Sequence, residues 1–150
     1  NKHFDEITIK DLYNSLHINF VIPFFIMKFV IPKMLQQKFG RIINISSIGV
    51  KFGGSKQNFN YALSKYNLEF IPSVYKDWAK KNVLINCIRL GVFDTKMHKR
   101  IINKNMKKRI NLIPIKRMGK PKEVVNLIDY LLSDKNSYLT GEIITLSGGE

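Results

Sequence analysis

Three short apolar runs constrain this chain more than any other feature: "RIINIS" at 41–46, "VLINCI" at 83–88 and "EIITL" at 142–146. Each reads as a buried strand, and the stretches between them are long enough for helices. Such an order predicts a parallel sheet covered on both faces, an α/β architecture. Three strands are few for that design, so further strands are expected beside them.

The intervening segments carry helix signals. Thr8 can cap a helix over 8–37, with Asp11 in the first turn, where a negative charge is favoured. Leu12, Leu16 and Phe20 make one apolar stripe, and Phe25, Phe29 and Leu35 are expected to continue it inward. Pro23 has no amide to donate, so a kink is expected near Asn19. After a loop holding Gly49, Gly53 and Gly54, a second helix is expected over about 58–81. Its Ala62, Phe70, Val74 and Trp78 would face the core, although Pro72 lies inside it. "RLGVFDT" at 89–95 reads as a loop, followed by a polar, partly helical excursion to about 111. Pro121 suits the first turn of a helix ending at Leu132, and a turn at Gly141 leads into the last strand. No repeat or hinge divides residues 1–150, which are read as part of a single domain.

Composition narrows the classes. The polar opening has no signal-peptide pattern, and a start at Asn-Lys-His suggests a piece of a longer protein. "FVIPFFIMKFVIP" at 20–32, interrupted by Lys28 and two prolines, reads as too short and broken to span a membrane. Cys87 is the sole cysteine, which favours a reducing, cytoplasmic setting, and the scattered His3, His17 and His98 suggest no metal site. The formal charge is +14, and from Lys96 to Lys122 eleven basic residues occur without an acidic one. That asymmetry fits a solvated face in a Lys-, Asn- and Ile-rich chain, attraction of an anionic substrate or cofactor, or nucleic acid. Zinc-finger spacing and RNA-binding aromatic strands are missing, which weighs against nucleic acid.

"NYALSK" at 60–65 places Tyr61 and Lys65 one helical turn apart. A tyrosine titrates ordinarily near 10, and a nearby ammonium favours its phenolate, which would suit the phenol to proton transfer. Ser47 ends the first strand, where open α/β sheets place ligands, and could hold a substrate oxygen. Asn19, beside the expected kink, could bind a freed carbonyl or an ordered water and open a water route from Lys65. Ordinary surface neighbours, a loop cap and an incidental amide are the plain alternatives for these residues.

"GRIINISSIG", "NYALSK", "NCIRLGVFDT", "RMGKPKEVVNLIDYLLSD" and "YLTGEIITLSGG", in that order, closely resemble the short-chain dehydrogenase/reductase family. The likeness is to its classical members, such as 3-oxoacyl-acyl-carrier-protein reductases and related sugar or alcohol dehydrogenases. It implies a Rossmann-like doubly wound parallel sheet, incomplete at the N-terminus, because no glycine-rich pyrophosphate loop precedes these motifs. It also implies hydride transfer between NAD or NADP and a small-molecule or carrier-linked carbonyl or alcohol. By the same likeness, Tyr61 is the acid/base, Lys65 its charged partner and ribose ligand, Ser47 the substrate-holding serine and Asn19 the relay asparagine. Gly91, Val92 and Thr95 would lie along the nicotinamide, with Val92 offering backbone bonds to its carboxamide. Two departures stand out: Leu90-Gly91 where the family has Pro-Gly, and an apparent extra residue between Ser47 and Tyr61.

The resemblance further implies a variable substrate lid at about 96–115, where Met97, Ile101 and Met106 could face the cleft while Lys99, Arg100, Lys104 and Lys107 face water. A homodimer or homotetramer is implied too, with Phe24, Phe25 and Trp78 as candidate contacts, and no membrane partner. The isolated fragment is expected to be inactive. A non-catalytic relative or a basic nucleic-acid-binding fragment is the alternative reading.

Overall fold

In a computed structural model of the chain, residues 2–96 and 106–150 are described. The chain runs α1 (Ile9–Leu16), a π-helical turn (His17–Val21), α2 (Ile22–Gln37), β1 (Gly40–Ser47), α3 (Phe59–Asn67), α4 (Tyr75–Ala79), β2 (Val83–Leu90), α5 (Met106–Asn111), α6 (Pro121–Leu132) and β3 (Ile143–Leu146). The strands pair in parallel in the order β1-β2-β3, with Ser47 opposite Leu90 and Leu90 opposite Leu146. Their carboxyl ends therefore form one edge.

Side chains alternate between the two faces of a strand, and the polar contacts of β1 show what covers each. Arg41 reaches the Asn136 carbonyl, just beyond α6, at 2.8 Å. Asn44 and Ser46 point the other way, to the Leu68 carbonyl at 3.2 Å and the Glu69 carboxylate at 2.7 Å, at the end of α3. Helices thus cover both faces, as a doubly wound sheet requires. The core is centred on β2, whose residues Val83–Ile88 are all buried. Buried Asn86 fixes the approach to β3 by donating to the Leu139 carbonyl at 2.8 Å and accepting from the Glu142 amide at 3.1 Å.

Thr8 does cap α1, accepting from the Asp11 amide at 3.2 Å, while the Asp11 carboxylate accepts from the Thr8 amide at 2.9 Å. The break expected near Asn19 takes the form of the π turn, in which the Ile22 amide donates to the His17 carbonyl five residues back. Pro23, next in line, has no amide hydrogen to restore the tighter register.

Three expectations are corrected. The helix expected over 58–81 is two short ones, because chain around Pro72 leaves helical geometry between α3 and α4. Phe70 and Val74 consequently stay largely exposed, at 72% and 44%, on the rim of an apolar cavity rather than in the packed core, and Phe25 and Phe29 on α2 are also exposed. Finally, Ile9–Gln37 is a continuous helical rod, long and apolar enough by length and composition to cross a membrane. Lys28 and the prolines do not interrupt it, since Pro23 occupies the first turn of α2 and Pro32 is accommodated inside it. Met27 and Ile31 turn toward the sheet and line an apolar cavity of about 470 Å³ with Leu68, Trp78 and Ile85.

Candidate active site

The site lies along the carboxyl edge of the sheet. Ser47 is the last residue of β1, and its Oγ accepts from the Gly49 amide at 3.2 Å, starting a short 3₁₀ turn over Ile48–Val50. The hydroxyl proton remains available to an incoming oxygen. Gly53 and Gly54 then carry φ of 66° and 82°, a left-handed pair suited to glycine. The Gly54 amide donates to the Gly49 carbonyl at 2.7 Å, closing the loop that delivers α3.

Tyr61 and Lys65 sit half-buried one turn apart on α3, which packs against β1, the 3₁₀ turn and the π turn. The Lys65 Nζ donates to the Ile45 carbonyl at 2.9 Å, leaving two further donors. Burial pushes the Lys65 pKa down. Asn19 does not turn to a freed carbonyl: its Nδ2 donates to the Ser64 Oγ at 3.1 Å, and that fully buried hydroxyl donates to the Tyr61 carbonyl at 2.8 Å. The four residues are gathered around α3 by these elements rather than by direct bonds among themselves.

Past β2 the chain is pinned to the segment before α6. Gly119 donates to the Val92 carbonyl at 2.9 Å, and the Asp94 amide donates to the Gly119 carbonyl at 2.9 Å. The Val92 carbonyl, expected to serve a carboxamide, is thus occupied within the protein. Peptide groups alternate along an extended chain, so the N–H and C=O of Phe93 face away from Gly119. Gly91 owes its identity to space: a Cβ there would lie 2.7 Å from the Ser147 Cα. Thr95 is half-buried in the bend that follows. Of the lid residues, Met97, Lys99, Arg100, Ile101 and Lys104 lie outside the described residues, Met106 is half-buried and Lys107 exposed.

Sequence reasoning missed Ser64 and a buried cluster beneath the site. Glu69 is only 7% exposed and pairs with Arg89, whose Nε and Nη2 lie 2.8 Å and 2.5 Å from its carboxylate oxygens. The signal was present: one acid and one base, each embedded in an apolar run, imply a partner, because a lone buried charge is costly. Cys87 lies close by, its thiol pushed up to about 12 by burial and by Glu69, which removes it as a nucleophile near neutrality. No group of side chains suited to hold a metal occurs among the described residues.

Comparison with known proteins follows this geometry. The family model for enoyl-(acyl carrier protein) reductase matches residues 1–150. The 3-oxoacyl-[acyl-carrier-protein] reductase FabG of Aquifex aeolicus is 35% identical over 150 residues, covering 99% of this chain and 60% of that protein. FabG of Chlamydia trachomatis is 38% identical over 122 residues, covering 80% of this chain and 48% of its relative. The crystal structure of a 3-oxoacyl (acyl-carrier-protein) reductase from Agrobacterium tumefaciens with NADP bound superposes with a TM-score of 0.90 at 29% identity, covering all of this chain and 60% of that one. YwfH, an NADPH-dependent reductase involved in bacilysin biosynthesis, gives 0.88 at 28% identity, over 99% of this chain and 61% of the other. This chain therefore spans between about half and three fifths of the length of these relatives. Ordered motifs, a parallel sheet covered on both faces and these matches agree: the chain belongs to the short-chain dehydrogenase/reductase family.

Proposed function

We propose that, within its full-length protein, this chain carries the proton-transfer site of an NAD(P)-dependent carbonyl reductase acting on a carrier-linked 3-oxoacyl group. The gathering of Asn19, Ser47, Tyr61 and Lys65 around α3 carries this reading, and the reductases it resembles support the substrate class. When bound, the nicotinamide supplies hydride; the protein supplies placement and the proton.

The Ser47 hydroxyl donates to the substrate carbonyl oxygen and orients it. Tyr61 delivers its phenolic proton to that oxygen as negative charge develops there, or takes one from the alcohol in reverse. Lys65 places a positive charge one turn from that phenol, and its remaining donors suit ribose hydroxyls. Asn19 holds the α3 backbone through Ser64 and keeps its amide oxygen for a water leading from Lys65. The residues present fit the nicotinamide end of a dinucleotide: Gly91 permits close packing of two backbones, Phe93 offers an outward N–H and C=O, and Thr95 follows at the bend. That assignment moves the carboxamide contact from Val92 to Phe93.

The test is Tyr61→Phe in the full-length protein with a 3-oxoacyl thioester and NADPH or NADH. Turnover is expected to fall about 100-fold or more, the usual scale of acid–base catalysis, while coenzyme binding persists. Turnover within a few-fold of the parent would remove the assigned role. Self-association as a dimer or tetramer is part of the proposal, supported by the open apolar face of Phe25 and Phe29.

A further inference from the structure

We infer that Glu69 is a positioning residue for the helix that carries Tyr61 and Lys65, acting through a buried clamp with Arg89 and Ser46; this rests on the reductase reading above. Its carboxylate receives three hydrogen bonds, from the Ser46 Oγ at 2.7 Å, the Arg89 Nε at 2.8 Å and the Arg89 Nη2 at 2.5 Å. The forked pairing is the strong, directional form of this contact. Glu69 follows α3 directly, and the connecting turn tightens: the Leu68 and Glu69 amides donate three residues back, to Lys65 at 3.1 Å and Tyr66 at 2.9 Å.

Such an anchor matters because α3 is short. Nine residues make a marginal helix without tertiary support, and Pro72 stops the second half from extending it. The clamp ties the end of α3 to β1 through Ser46 and to β2 through Arg89. Ser46 lies between Ile45, whose carbonyl receives Lys65, and Ser47, and its Oγ approaches the Lys65 carbonyl at 3.3 Å. One carboxylate therefore sets the helix bearing the acid/base relative to the strand end bearing the serine. As glutamate and arginine together are neutral, the effect is geometric rather than a net field on Tyr61.

Two variants of the full-length protein test this. Glu69→Gln keeps size and an acceptor but removes the charge; Arg89→Lys keeps charge but removes the fork. Each is expected to lower kcat at least tenfold with substrate KM within twofold, and to speed amide exchange across residues 61–68. The double variant should lose no more than the worse single one. Leu131→Ala, in the core of α6, serves as a destabilised control and should keep kcat within twofold. A smaller fall in kcat, unchanged exchange, or an equal loss in the control overturns the clamp. If Glu69→Gln does not fold, Arg89→Lys decides by the same measures. Full turnover by Tyr61→Phe would instead sink the reductase reading, leaving the exchange result to judge the clamp.

Discussion

The carboxyl edge of the sheet and the outer face of the long N-terminal rod are built on opposite terms. At the edge, polar side chains are enclosed and each finds a partner: Ser46 and Arg89 on Glu69, Asn19 on Ser64, Lys65 on Ile45. On the rod, large apolar residues face outward, with Phe29 at 85% exposure and Ile26 and Phe25 at 57%. Polar contacts among α3, β1, β2 and the π turn hold the first region together. The second has the composition of a surface meant to be covered, since contiguous exposed apolar patches mark interaction surfaces. Enclosed polar contacts shape the first region, whereas the outer face of the rod is left apolar and open.

Loss of the Tyr61 phenol should be the largest blow to this contrast, touching turnover and leaving the rod alone. Next in size, Leu131→Ala, at a residue only 1% exposed, should cost about 2–5 kcal/mol, read as a shift of the urea midpoint. A loss below 1 kcal/mol would mean that the α6 face of the sheet is loosely packed. For the rod, Phe25→Glu should push sedimentation toward the monomer while turnover per subunit at saturating protein stays within a few-fold. Unchanged assembly would place the interface elsewhere.

The smallest effect concerns the ion pair outside the site. Arg117 binds Glu123 in two places, at 2.9 Å and 2.7 Å, and holds its carboxyl down at about 2. The ordinary value is 4.5. The folded state thus binds fewer protons between these values, so the contribution is complete above pH 4.5 and is lost as pH falls toward 2. Glu123→Gln should flatten that acid limb of the denaturation midpoint against pH; a limb as steep as the parent's would assign it to other carboxyls.

Much of this was legible in sequence. The three strands announced themselves as short, mostly apolar runs between helix-length segments, although β3, with Ile143 40% exposed, is not buried as expected; the motif order carried the family. Thr8 and Asp11 were readable because a cap is a local device. What failed was long-range. Pro72 could be seen, but whether surrounding packing would hold a helix together across it could not. Glu69 and Arg89 lie twenty residues apart; the parallel register sets Arg89 beside Ser46, and the packing of α3 on β1 brings Glu69 to both. That the Val92 carbonyl would be taken by the Gly119 amide was equally out of reach, because the direction of a peptide group depends on which neighbour pairs with it.

The π turn at His17–Val21 has a consequence for the rod as a whole. It holds one residue more than an ordinary turn, which rotates everything beyond it by about 100° relative to an unbroken helix. Counting straight on from Leu12 at 3.6 residues per turn brings Ile26 inward; counting with the extra residue brings Met27 and Ile31, and Ile31 is 6% exposed where Ile26 is open. α1 can thereby seat its stripe on α3 while α2 seats its own on the sheet. A single-residue deletion within this turn would put the two halves out of phase, so that only one of them could keep its seat.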